Sequence, residues 1–223
     1  MLPVRDNIKS QSLPVVNYVL IAINIFVFVY EISLSPEALE SLIFTWGLVP
    51  ARYPDLLSLA TAPPLITSMF LHGGIAHVGG NLLYLFIFGD NVEDWLGHGR
   101  YIVFYLVCGL AAAFGQYMVD TSAAVPMVGA SGAISGILGA YLVLYPKARL
   151  VTLWWLFIFV RFIELPAVLY LGVWFLMQLG SGLISTPGAS QGGVAFWAHI
   201  GGFVGGVLMI RIFGLFRPAK RRR

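Results

Sequence analysis

Cysteine is nearly missing from this chain: Cys108 is the single one in 223 residues. With no second thiol, neither an intramolecular disulfide nor a cysteine metal cluster is available, and redox chemistry is set aside. Charge is scarce as well, at 10% of residues, where an ordinary soluble domain carries about a quarter. The zinc-protease pattern His-Glu-x-x-His is absent, since His72 and His77 stand five apart with no acidic residue between them, so no metal is expected. The basic residues form no patch on a polar domain. They sit in short loops and at the ends, which argues against nucleic acid despite a pI near 9.1.

Apolar residues take up the room, at 59% of the chain and a mean hydropathy of +0.86. This is the composition of a membrane protein. The runs at 15–32, 76–96, 101–119, 127–145, 164–179 and 195–213 read as six spans, giving an all-α, polytopic membrane helical bundle. The expected organisation is a short cytoplasmic N-terminal segment (1–14), one membrane domain (15–213) and a basic cytoplasmic tail (214–223). The first run lacks a small-residue cleavage site and reads as a retained span rather than a removed signal peptide. Placing both termini in the cytoplasm leaves Arg52 as the one basic residue outside, which fits the positive-inside rule and a multi-pass protein of the cell membrane.

Two regions resist a simple span. The long first loop, 33–75, holds apolar pieces at 42–46 and 56–59 that are broken by Pro50, Pro54, Pro63 and Pro64 and read as interfacial segments. The stretch 150–162 reads either as a membrane-edge loop or as a long tilted start to the fifth helix, being apolar but interrupted by Arg161 and followed by Pro166.

Polar groups at membrane depth are costly and each needs a partner or a role. In the six-span reading Ser131, His199, and the pair His77 and Asn81 all fall near the outer ends of spans four, six and two. His77 and Asn81, four apart, share one helix face. Interhelical hydrogen bonding is the plain alternative for both. Small residues at Gly132, Gly136 and Ala140, and at Ala198, Gly202 and Gly206, allow spans four and six to approach closely. Such approach is what proton transfer between a hydroxyl and an imidazole requires. Ser135, one turn deeper than Ser131, competes for the role of nucleophile, but water reaches Ser131 more readily. No acidic residue falls where it would orient His199, so a Ser–His dyad is expected rather than a triad. His98 reads as a solvated loop residue.

The strings Gly129-Ala130-Ser131-Gly132, Ala198-His199-Ile200-Gly201-Gly202 and Thr67 to Asn81, with its His72, His77 and Asn81, resemble the rhomboid family of intramembrane serine proteases. The resemblance implies Ser131 as nucleophile, His199 as general base, and an oxyanion site made by the His77 and Asn81 side chains with the Ser131 backbone N–H. It places His72 on the substrate side. It also implies a lateral opening beside the fifth helix, where Trp174 and Phe175 sit. Many relatives have Trp-Arg where this chain has Pro63-Pro64, and an aromatic ring one turn after the nucleophile where this chain has Ser135.

The function implied is cleavage of transmembrane protein substrates at or near the bilayer, among membrane lipids, with no metal or organic cofactor and no nucleic acid. Oligomeric state is not legible. The alternative reading is an inactive rhomboid-like protein that binds client helices, or a small transporter.

Overall fold

The computed structural model describes residues 2–53, 55–56, 58–156, 159–185 and 194–215. Pro54, the loop expected around Gly192 and all but the start of the expected tail at 214–223 lie outside the described residues.

Among the described residues, four helices are long and apolar enough to cross a membrane: α1 (Val15–Ile32), α6 (His98–Val119), α8 (Ala167–Ile184) and α9 (Phe196–Leu215). A shorter apolar helix, α7 (Ser131–Leu144), lies among them. The run expected at 76–96 is helical throughout but not uniform: α4 (Ile75–Tyr84) passes into a π-helical turn (Leu85–Gly89) and then α5 (Asp90–Leu96). That turn is where α1 docks. Asn17 donates from Nδ2 to the Leu85 carbonyl at 2.9 Å, and a Cβ on Gly89 would collide with the Asn17 side chain. At this end of α1 Asn17 is satisfied across helices, its Oδ1 accepting the Tyr101 hydroxyl at 2.9 Å, as a membrane interior demands. Glu93, fully buried, accepts the Val16 and Asn17 backbone N–H groups at 3.0 and 2.7 Å and so caps α1, whose own N-cap is Pro14. His98 opens α6 and contacts Glu93 Oε1 through Nδ1 at 2.5 Å, so it is tied to the fold as well as partly solvated.

The fold is mostly helical but not all-α. β1 (Leu2–Asp6), β2 (Arg149–Leu156) and β3 (Phe159–Pro166) form an antiparallel sheet in the order β1-β2-β3. The stretch left open between loop and tilted helix is therefore a hairpin, with Leu150 opposite Leu165 and Thr152 opposite Ile163. Its β-branched and aromatic residues favour the pleat. Pro166 bars extension of α8 backwards, so that helix begins at Ala167. The N-terminal segment supplies the third strand, Asp6 opposite Leu150. Around that end Asp6 also accepts hydrogen bonds from Asn91 Nδ2 and the Tyr141 hydroxyl.

The opposite end is built from the first loop, including α2 (Pro36–Trp46) and α3 (Ala62–Thr67). Leu48 and Met127 exchange backbone hydrogen bonds at 3.1 and 2.7 Å, and Ala51 N–H donates to Ala123 at 3.0 Å. These bonds pin the first loop to the α6–α7 connection, directly above the polar residues picked out in α4, α7 and α9. The core between the two ends is aromatic and small together: Phe88, Tyr101, Phe104, Tyr105, Tyr141 and Ala140 are all completely buried.

Candidate active site

Close helix crossing brings the site together. A Cβ on Gly202 would overlap the Gly132 carbonyl oxygen, and one on Gly206 would overlap that of Gly136. A Cβ on Gly201 would stand 2.7 Å from the Ala111 carbonyl oxygen of α6. With no side chains between them, the backbones of α7 and α9 touch. Ser131, the first residue of α7, and His199, in the first turn of α9, then face each other across the seam. His199 Nε2 lies 2.8 Å from Ser131 Oγ, within reach for proton transfer.

Ser135 does not take part in that contact. It is buried, and its hydroxyl donates back to the Ser131 carbonyl at 2.7 Å, the usual local bond of a serine inside a helix.

His77 and Asn81 project from α4 toward the loop that leads into Ser131. Gly129 makes this possible in two ways. Its φ of +121° is a conformation that favours glycine, and a Cβ there would stand 2.5 Å from His77 Nε2 and 3.6 Å from Asn81 Nδ2. His77 Nδ1 accepts the Gly73 backbone N–H at 3.3 Å. The ring hydrogen therefore belongs on Nε2, the nitrogen beside Gly129. Asn81 Nδ2 is buried with no hydrogen-bond partner among the described residues. Two N–H donors thus converge beside the segment that carries Ser131, and α7 begins there with unpaired backbone N–H groups.

A cavity of about 770 Å³ joins these groups, lined among others by His77, Asn81, Ser131, Trp174 and His199. His72 is not among its walls. It is 2% exposed and packs behind His77, ring centroids 5.2 Å apart, with its backbone N–H on Glu31 Oε1 at 2.9 Å. Burial, reinforced by His77, holds its pKa down at about 4, so the ring is neutral near pH 7. Phe175 also lies behind the site, against Phe203 at 4.8 Å. Of the seven residues singled out from sequence, five meet at the cavity and two support them from outside.

Sequence reasoning missed one neighbour. Gln178, on α8, lies with Oε1 2.8 Å from His199 Nδ1. Its signal was available: it is a polar residue inside a span, one turn from Trp174, and such a residue needs a partner. Among the described residues, no group of three or more His, Cys, Asp and Glu side chains gathers to hold a metal ion.

Comparison with known proteins places this geometry in context. A family model described as the Rhomboid domain matches residues 61–216. The chain is 30% identical over 203 residues to the rhomboid protease GluP of Bacillus subtilis, covering 91% of this chain and 35% of that protein. It is 30% identical over 154 residues to the RHOMBOID-like protein 5 of Arabidopsis thaliana, covering 69% and 44% of the two chains. With the mitochondrial presenilin-associated rhomboid-like protein of Rattus norvegicus it shares 28% identity over 123 residues, 51% of this chain and 33% of that one. The chain therefore spans between a third and under half the length of these relatives.

Proposed function

The chain belongs to the rhomboid family, and from that membership and the site geometry we propose that it is an intramembrane serine endopeptidase acting by a Ser131–His199 dyad. The observation that carries the reading is the 2.8 Å contact between His199 Nε2 and Ser131 Oγ at the wall of a cavity roomy enough for water and a strand of substrate.

In this reading Ser131 Oγ attacks the carbonyl carbon of the scissile peptide bond while His199 Nε2 takes the hydroxyl proton. Negative charge grows on the carbonyl oxygen, and the donors aimed beside Gly129, His77 Nε2–H and Asn81 Nδ2–H, together with the Ser131 backbone N–H, hold it. His199 then gives its proton to the leaving amine, and the acyl group remains on Ser131. Water, deprotonated by the same nitrogen, releases the acid and restores the hydroxyl. No step calls on a metal or organic cofactor.

The substrate is a transmembrane or membrane-proximal segment of another membrane protein. A helical peptide bond has its carbonyl engaged, so the segment must unwind to meet Ser131. Access is lateral, between α4 and α8, where the Tyr84 and Tyr170 hydroxyls meet at 2.7 Å.

The chain crosses the cell membrane six times with both termini cytoplasmic. The pairing of β1 with β2 supports this, because it sets residues 2–6 and 149–156 on one face with Arg5 and Arg149. The contacts of Leu48 with Met127 and Ala51 with Ala123 gather the first loop and the α6–α7 connection at the other end. Basic residues at the first face suit the cytoplasmic leaflet.

The test is cleavage of a reporter transmembrane substrate by the purified chain in lipid, with a serine-directed phosphonate as a second probe. Wild type should cleave and be labelled at Ser131. Ser131→Ala and His199→Ala should each fall to background, since the two act as a unit. Appreciable cleavage by folded Ser131→Ala would remove the serine mechanism.

A further inference from the structure

Two side chains one helical turn apart on α8 both meet His199, although α8 carries neither member of the pair. Gln178 Oε1 lies 2.8 Å from Nδ1, and the Trp174 ring lies beside the imidazole with centroids 6.0 Å apart and planes 34° from parallel. An amide oxygen only accepts, so the hydrogen in the first contact sits on Nδ1. Nε2 is then the nitrogen with the free lone pair, and it is the one facing Ser131 Oγ at 2.8 Å.

We propose that Gln178 and Trp174 are positioning residues of the reaction: Gln178 fixes His199 in the tautomer that is a base toward Ser131, and Trp174 fixes the plane of its ring. The proposal rests on the serine-protease reading above and deepens it by adding α8 to the catalytic unit.

The chemistry explains why an amide serves where soluble serine hydrolases use a carboxylate. A carboxylate on α8 would have to be held charged in apolar surroundings, at heavy cost. An amide orients the ring without that charge. What it gives up is attraction for the imidazolium formed during each proton transfer. Trp174 offsets part of this loss, because an indole face within about 6 Å attracts a cation. Trp174 is itself braced, its ring 6.0 Å from Phe203, which packs against Phe175 with centroids 4.8 Å apart. The α7 helix offers no substitute, since Ser135, one turn from Ser131, turns back onto its own helix.

The measurement is steady-state cleavage of the reporter substrate over a pH series, with phosphonate labelling rate and melting temperature recorded for each variant. Gln178→Leu should lower kcat about ten-fold, the worth of one orienting hydrogen bond, with KM unchanged. Gln178→Glu keeps the acceptor and should recover kcat, with a lower melting temperature for the charge it places in apolar surroundings. Its acid limb should move to higher pH, because a carboxylate favours the imidazolium and the base works only when deprotonated. Trp174→Leu should lower kcat and Trp174→Phe restore most of it.

A merely structural Gln178 would give equal losses in the Leu and Glu variants, in step with melting temperature and with the acid limb fixed, and that result overturns the proposal. So does a wild-type kcat in Gln178→Leu. If Ser131→Ala is dead while Gln178→Leu is fully active, only the positioning role fails. If Ser131→Ala cleaves like wild type, the serine reading itself fails.

Discussion

Glycines on the two sides of the cavity have opposite surroundings. Along the α7–α9 seam, a Cβ on Gly202, Gly206 or Gly139 would run into the backbone of the facing helix. On α4 and α8, Gly79, Gly80, Gly172 and Gly180 have nothing within 4 Å of where a Cβ would be. One side uses glycine to bring backbones into contact; the other has room to spare at these four positions, closing only toward the end of α8, where a Cβ on Gly182 would stand 3.3 Å from the Trp197 ring. Ser131 and His199 stand on the tight side, so their separation is set by main-chain contact. His77, Asn81, Trp174 and Gln178 stand on the looser helices, whose hydrogen-bond link is made through Tyr84 and Tyr170. A site that holds a 2.8 Å contact and, on the function proposed above, admits a helix from the side needs both kinds of wall.

Filling the tight side should have the largest effect. Gly202→Leu puts a branched side chain where the Gly132 carbonyl lies. The helices must part by more than a hydrogen bond tolerates, so cleavage should fall to background. Overpacking should also remove about 1–3 kcal/mol of stability, seen as a lower melting temperature, whereas Ser131→Ala should melt like wild type. A fully active and stable Gly202→Leu protein would dissolve the distinction between the two walls.

Next in size is the donor on the looser side. Asn81→Ala removes an unpartnered buried Nδ2 and should reduce kcat by about 10- to 1000-fold, the upper end matching loss of one preorganised donor. Since α4 has no close glycine contact at Gly79 or Gly80, melting should barely change. Unchanged kcat here and in His77→Ala would return both residues to plain interhelical bonding.

How much of this was legible depended on whether a feature was local. The first span at 15–32 coincides with α1, because its apolar run is uncharged until Glu31 and broken only by Asn17 and Asn24. The Ser131–His199 meeting followed from small residues repeating at helical spacing on two segments. The sheet was not legible: in 150–162 nearly every residue is apolar, so period 2 and period 3.6 look alike, and the strand that completes the sheet comes from the far N-terminus. For Gln178 the sequence held half the signal, a polar residue inside a span that needs a partner, but which partner it meets depends on how α8 lies against α9, which no spacing within α8 encodes. The open surroundings of Gly79 and Gly172 were equally hidden, since a glycine letter is the same in a seam and in a gap.

A smaller effect is expected at the link between the looser helices. Tyr170→Phe deletes the 2.7 Å bond to Tyr84. Interhelical hydrogen bonds in membranes average about 0.6 kcal/mol, or about three-fold in an equilibrium. If access runs between α4 and α8, kcat/KM for the transmembrane reporter should rise by about that factor while the rate of phosphonate labelling stays the same. A fall in both would make the bond part of the site's support rather than its door.

The smallest effect should come from adding a methyl group to the open side. Gly172 lies in the second turn of α8 with no atom within 4 Å of a Cβ, so Gly172→Ala meets no neighbour to displace. Alanine also loses less conformational freedom in a helix than glycine does. Cleavage should stay within about two-fold of wild type and melting should not fall. The same methyl added as Gly206→Ala would strike the Gly136 carbonyl and should cost both activity and stability. Measured side by side, the two single-methyl variants isolate packing from chemistry, since neither touches a polar group of the site. Equal losses in both would mean that α8 packs as tightly as α9, and that the cavity lacks the yielding wall through which a substrate helix is proposed to pass.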